Sequence, residues 1–344
     1  MAKFTISNKQ LFLFLFILQT GTVFISFQSR VINAAEQNAW IVFVIVSGLH
    51  LLLLILFDKY YKYFKMNKFE KWLYQLYWYS IVVIFLTYID FVLKLWAFPL
   101  TPAFIVISLM AIISLYANLS KYAVIFNISV ILIPFIFVFF AMLSLSTKDL
   151  TWTNFFPIGE IELKQWMEGF GKTIYAFIGI EAYLILRPFV QDKKQITYRK
   201  IALYQLIFTL FFVITIIYSL LFFSLKEIQI IPVTIMYLLK SQEITFLQRL
   251  DLFFTYIWMT WSVISITLFM FLGLHLYKTM YTRSIKFTVF IHIVVSILPA
   301  FFITREMVKK LHDGLLYTHL FFGILFPLFI MLRGWRKSLR EKNS

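Results

Sequence analysis

Ten stretches of this chain are apolar for long enough to cross a hydrocarbon core about 30 Å thick, which takes roughly 20 residues of helix. They cover approximately Lys9–Phe27, Asn38–Phe57, Trp72–Trp96, Pro102–Leu119, Tyr122–Leu145, Gly169–Phe189, Lys200–Phe223, Leu250–Tyr277, Phe287–Ile303 and Tyr317–Arg333. The run from Leu51 to Phe57 does not alternate apolar with polar residues, so helices are expected rather than barrel strands. Only Ser120 and Lys121 part the fourth and fifth runs, leaving a tight hairpin and one long kinked helix both open. The first run stays apolar to Phe27 with no small-x-small site after it, and reads as a span rather than a cleaved leader.

Composition agrees with a membrane chain. Only 14% of the 344 residues are charged, against about a quarter in soluble proteins. Cysteine is absent, which excludes disulfide scaffolds and thiolate metal or redox sites. The net charge of +16 does not require nucleic acid, because it gathers in short flanking loops suited to anionic lipid. One side receives the N-terminus, Lys59, Lys62, Lys65, Lys68, Lys71, Lys121, Arg187, Lys193, Lys194, Arg199, Lys278, Arg283 and the tail. With Lys200 and Lys286 on the same side, that is about 21 of the 32 basic residues. The other side holds most acids, among them Glu36, Asp149, Glu160, Glu162 and Glu306. Both termini are therefore expected to face the cytoplasm, as an even number of spans requires.

A long polar connection from about Ser146 to Glu168 leaves five runs on each side. The expected organisation is a first five-helix repeat over 1–147, an extracytoplasmic connector over 148–168, and a second repeat with a basic tail over 169–344. Five is odd, so the second half enters the membrane inverted. This is the plan of LeuT-like secondary transporters, which bind ligands where the first and sixth helices are discontinuous near the midplane. Both helices carry a glycine-centred polar island: Leu18-Gln19-Thr20-Gly21-Thr22-Val23 in the first, Phe177-Ile178-Gly179-Ile180-Glu181-Ala182 in the sixth. The fold class expected is all-α integral membrane, with ten transmembrane helices in a 5+5 inverted repeat.

Glu181 is the strongest single signal. A carboxylate within hydrocarbon costs several kcal/mol, so it should face the protein interior, either contacting a ligand amine, ion or proton, or acting as helix-packing glue. Asp90 and Lys94 are four apart on one helix face and are expected to pair. His50, His275, His292, His312 and His319 lack metal-site spacing, and interior hydrogen bonding is expected of them. Trp40, Trp72, Trp78, Trp96 and Trp335 read as an interfacial belt. Tyr88, Tyr256, Trp258 and Trp261 lie deeper and are candidate pocket walls. Residues 158–172 read as a short amphipathic helix on the outer surface, with lid, partner contact and plain connector all open. There is no phosphate loop, nucleophile elbow or metalloprotease helix, so neither an enzyme nor a cofactor is expected.

These residues resemble the B subunit of bacterial spore germinant receptors, a branch of the amino acid–polyamine–organocation transporter superfamily. Ile6-Ser7-Asn8-Lys9-Gln10-Leu11-Phe12 is similar to that family's opening, and Gly21 falls where its first helix has a glycine. Ala34-Ala35-Glu36-Gln37-Asn38-Ala39-Trp40 resembles its Ala-Gly-Gln-Asp-Ala-Trp motif. Gly179-Ile180-Glu181 resembles the Gly-Phe-Glu of its sixth helix. Phe246-Leu247-Gln248-Arg249-Leu250-Asp251, followed by Trp258, is similar to its entry into the eighth. Thr22 and Phe27-Gln28 stand where the family usually has a second glycine and a later proline, and Glu36 and Asn38 replace its glycine and aspartate.

The resemblance implies a sensor: a subunit in the inner membrane of the spore, assembled with an A subunit and a C-subunit lipoprotein, binding a small germinant such as an amino acid and triggering germination. It implies ligand contacts at Thr20, Gly21, Thr22, Gly179, Ile180 and Glu181; Tyr88 and Trp258 stand beside them as pocket walls only from their depth in the third and eighth spans. A secondary transporter of an amino acid or polyamine stays open, since it needs the same pocket.

Overall fold

The computed structural model describes residues 4–191, 196–242, 249–281, 284–302 and 304–343. Among them every element is helical, apart from an isolated parallel bridge between Ile6 and Val190. In order the α-helices are α1 (Asn8–Thr20), α2 (Phe24–Ala35), α3 (Ala39–Tyr60), α4 (Lys68–Trp96), α5 (Ala103–Leu119), α6 (Tyr122–Ile128), α7 (Leu132–Ser144), α8 (Leu163–Ile174), α9 (Ala182–Leu186), α10 (Tyr198–Phe222), α11 (Leu225–Ile230), α12 (Thr234–Lys240), α13 (Leu250–Met280), α14 (Ile285–Ile297), α15 (Arg305–His319) and α16 (Phe326–Asn343), the last two joined by a π-helical turn at Leu320–Leu325.

Among the described residues, seven helical stretches are long and apolar enough to cross a membrane: Phe24–Tyr63, Lys68–Trp96, Tyr122–Asp149, Leu163–Phe189, Tyr198–Phe222, Leu250–Met280 and Glu306–Glu341. Ala103–Leu119 and Ile285–Phe301 are apolar but shorter. The protein is thus a multi-pass membrane chain. Large apolar side chains point outward along these helices, including Leu52, Leu76, Leu109, Phe137 and Phe290, in a quantity that water would not tolerate. Tyr256 is among them at 59% exposed, so it faces outward instead of walling a pocket.

The first of these stretches folds back on itself. Ile6 pairs with Val190, Leu18 lies against Gly179 and Ala35 against Gly169, so α1–α2 runs antiparallel to α8–α9. Val42 also lies against Gly169, while Asp58 bonds Arg187, so α3 runs parallel to α8–α9. The reversal is at Glu36, whose φ of 50° is unusual for a residue with a side chain. Hydrogen bonds pin that corner to the first turn of α8 and the segment before it: Gln165 Nε2 donates to Glu36 Oε1 at 2.9 Å, and the Gly159 amide donates to Asn38 Oδ1 at 2.7 Å. Here α8 begins at Leu163 and continues into the sixth apolar run, so the connector and that run share one helix.

Polar caps set the helix starts at the bundle's ends. Ser7 with Gln10, Asn67 with Glu70 and Ser224 with Glu227 each form a reciprocal capping box, satisfying donors that a helix N-terminus leaves free. The two ends of the described chain meet at one end of the bundle. Ile6 is stitched between Phe189 and Gln191, and beside them Arg187 stacks on Tyr61. On the same side Gly334 of α16 abuts the Tyr63 carbonyl, and Arg333 holds Glu70. The bundle is built around α13, where 89% of the residues in the most apolar stretch are buried. Its small residues let neighbours close in: Gly273 receives the Tyr79 ring, and Ser262 and Ser265 face the first helix.

Candidate functional site

The sixth apolar run breaks in its middle. After a 3₁₀ turn at Tyr175–Phe177, Ile178 is extended (φ −55°, ψ 126°) and Gly179 has φ 100°. Only glycine adopts that conformation without strain, and any Cβ there would lie 2.7 Å from Leu18 Cδ2. Through the break the backbone makes tight i→i+3 bonds, such as the Ile180 amide to the Phe177 carbonyl at 3.2 Å and the Ala182 amide to the Gly179 carbonyl at 3.0 Å. Helix resumes as α9.

The interruption of the first run is shallower than the paired islands led us to expect. Gly21 and Val23 keep right-handed helical dihedrals, and the Gly21 amide still reaches the Ile17 carbonyl at 2.9 Å. The loosened carbonyls of Leu18 and Gly21 are met by Ser265 Oγ (3.3 Å) and Ser262 Oγ (3.4 Å) from α13. Glycine is needed at position 21 for close approach, because a Cβ would collide with Ser265 Cβ. Thr20 Oγ1 turns back to the Phe16 carbonyl at 2.6 Å. Thr22 is buried, and its hydroxyl meets no partner among the described residues.

Glu181 is fully buried at the start of α9. Its Oε1 accepts a 2.7 Å hydrogen bond from Trp78 Nε1 on α4, and Oε2 meets no partner among the described residues. Trp78 is itself fully buried, so it belongs to the interior and not to an interfacial belt. Ile180 beside it is also buried. Tyr88 is buried on the same helix but about 15 Å further along, at 1.5 Å per residue. Trp258 is buried on α13 with its Nε1 unpaired among the described residues, and Trp261 one turn on packs against Phe16 and Phe24. The residues expected at the site therefore fall into three places: Gly179–Glu181 against Leu18 and Trp78, Thr20–Thr22 against α13, and Tyr88 apart.

A buried polar string joins the two interrupted segments. Gln19 Nε2 donates to the Phe177 carbonyl at 3.1 Å and lies 3.2 Å from His50 Nε2, and Gln19 Oε1 accepts from the Tyr204 hydroxyl. His50 Nδ1 lies 2.6 Å from Gln205 Oε1, and Gln205 Nε2 donates to Ser47 Oγ at 2.5 Å. One proton arrangement satisfies every partner: a neutral imidazole with hydrogen on Nδ1, accepting at Nε2. His50 thus hydrogen-bonds in the interior as expected. Its partners were not foreseeable, because Gln19, His50 and Gln205 are far apart in sequence and no spacing rule relates them.

Ion pairs sit at both ends of this region. At the end carrying the termini, Asp58 and Arg187 are completely buried: Asp58 Oδ1 accepts from Arg187 Nε (2.5 Å) and the Tyr183 hydroxyl (2.7 Å), and Oδ2 from the Ile196 amide (2.9 Å). At the other end Asp313 lies 3.6 Å from Arg30 and 3.5 Å from Lys172. Asp90 and Lys94 pair at 2.8 Å, as their spacing implied. The residues 243–248, which include the Phe246-Leu247-Gln248 of the eighth-helix motif, and Lys193, Lys194, Arg283 and the His312 side chain lie outside what the structure describes. Arg249 and Asp251 of that motif form a two-point pair at 2.9 and 2.8 Å. Among the described residues no group of acidic or histidine side chains could hold a metal ion.

The arrangement offers a buried carboxylate beside a broken helix in a membrane bundle, with one oxygen held by Trp78 and the other meeting no side-chain partner among the described residues. A comparison with curated proteins finds no match for the chain. The family model described as spore germination protein matches residues 5–311, nearly the whole length. The chain belongs to the spore germination protein family.

Proposed function

We propose that this protein is the membrane subunit of a nutrient germinant receptor, which binds a small germinant such as an amino acid and biases its complex toward triggering germination. The observation that carries this reading is Glu181: a buried carboxylate at a helix break, with Oε1 anchored by Trp78 and Oε2 meeting no partner among the described residues, where a ligand amine could bind. A ligand triggers a response only if it binds one conformation more tightly than another. The Gly179 break, backed by Leu18 and bonded through Gln19, is a site where such a difference can arise.

The reading includes ten crossings in two oppositely inserted sets of five, with both termini cytoplasmic in the spore inner membrane, and A-subunit and C-subunit lipoprotein partners. The antiparallel course of α1–α2 and α8–α9 and the shared end of the two termini support it. It includes no catalytic role. Spores carrying Glu181→Gln at normal protein level should need a higher germinant concentration, and an unchanged dose-response across a panel of amino acids would refute the reading. A transporter of an amino acid or polyamine would use the same groups; uptake of labelled amino acid into proteoliposomes at transporter rates would favour it.

A further inference from the structure

A cavity of about 450 Å³ opens on the flank of the bundle between α3, the sixth-run break and the α15–α16 helix. Small-molecule sites typically enclose roughly 300–1,000 Å³. Phe177, Ile180, His50 and His319 form its inner wall. Leu49 and Leu52 form its rim and are 57% and 63% exposed on the outward face of α3, so it opens sideways into the bilayer. No Asp, Glu, Lys or Arg lines it among the described residues.

Its polar equipment is one group. Both ring nitrogens of His50 are already engaged, with Gln19 and Gln205. His319 is 1% exposed; its Nδ1 lies 3.1 Å from the Tyr77 hydroxyl, and its Nε2 meets no partner among the described residues. The ring is held in place, resting on Gly323 inside the Leu320–Leu325 π-turn, where any Cβ would collide with it. Such wide turns occur often at functional sites.

We infer that this cavity binds a neutral amphiphile that enters from the bilayer, displaces the side chains that close over His319, and hydrogen-bonds to its enclosed Nε2 through a hydroxyl or similar group. A zwitterion would have to leave water with no opposite charge to receive it. A phospholipid acyl chain would bring no group for Nε2. The site is distinct from Glu181, whose carboxylate faces Trp78, yet it shares Phe177 and Ile180 with the helix break. An occupant would therefore prop the break from its lipid side.

The test uses the full-length protein in nanodiscs of phosphatidylcholine and phosphatidylglycerol, with a medium-chain primary alcohol carrying a diazirine as probe. Photolabelling should saturate on residues 46–56 and 170–180, and be blocked by the unlabelled alcohol but not by norleucine. His319→Phe keeps a ring and removes the hydrogen bond, and should raise half-saturation about fivefold to tenfold. Leu52→Trp lies on the outward face, leaves the core untouched and should reduce labelling by narrowing the mouth; it decides the matter if His319→Phe does not fold. Unsaturable labelling of all lipid-facing helices, competition by norleucine, displacement of nothing but a co-purifying phospholipid, or wild-type labelling of both variants would overturn the inference. Labelling is read without germination, so loss of the Glu181 reading would leave this result standing.

Discussion

Trp78 Nε1 donates a 2.7 Å hydrogen bond to Glu181 Oε1, joining α4 to the broken sixth run at the one buried acid beside the break. The indole holds the carboxylate in place while leaving its second oxygen unbonded among the described residues. Removing the indole N–H should therefore do two things. Trp78→Phe leaves a buried acceptor unmet and should lower stability by about 1–3 kcal/mol. It should also shift the germinant dose-response in the same direction as Glu181→Gln. A thermal midpoint and dose-response matching the wild type would show that the contact orients nothing.

The Asp58–Arg187 pair makes a different prediction, because both charges are out of solvent. Arg187→Met strands Asp58 and should cost about 3–5 kcal/mol. Pairing it with Asp58→Asn removes the stranded charge and should restore most of the loss. Detergent-solubilised protein followed by thermal unfolding reads both; a double variant no better than the single would contradict the argument.

Gly179→Ala places a Cβ at φ 100°, with Leu18 Cδ2 2.7 Å away. The strain should cost of order 1–3 kcal/mol. Gly48→Ala is the matched control, since nothing lies within 4 Å of its added methyl and α3 is regular there. Equal midpoints for the two variants would mean that the break is not held in the shape described.

Outside the apolar spans, the Ser224 hydroxyl and amide hold the Glu227 carboxyl below its usual 4.5. A carboxyl lowered on folding favours the fold above its unfolded value, and that support fades as pH falls through the lowered one. Ser224→Ala should move the Glu227 titration upward toward the ordinary range, as followed by carboxyl-carbon NMR. A titration curve that does not move would place the cause elsewhere.

What the sequence disclosed was what breaks an apolar pattern locally. Gly179 and Glu181 stand out within an apolar run, and Asp90 and Lys94 sit one helical turn apart, so both features were legible. Trp78 was not: a tryptophan in the first turns of a membrane helix is ordinarily an interfacial residue, and only the fold reveals that α4 turns it inward. Arg187 was counted with the basic flank and its pairing with Asp58 was not legible, because charge counting takes no account of burial. The two glycines looked equivalent but serve different ends: Gly179 supplies a left-handed backbone, while Gly21 supplies room for α13. The reversal between Phe27 and Asn38 followed from the first two runs, but the residue type at 36 did not point to the positive φ found there, since a carboxylate is not what such backbone usually demands.

Ile6 is bonded on one side to the Phe189 carbonyl at 3.0 Å and on the other to the Gln191 amide at 2.9 Å. The leading segment of the chain is in this way tethered to the trailing end of the short half-helix α9. If α9 swings when its neighbour Glu181 changes partners, the tether drags the foot of α1 along with it. Motion begun deep in the bilayer would then surface at the chain's own beginning.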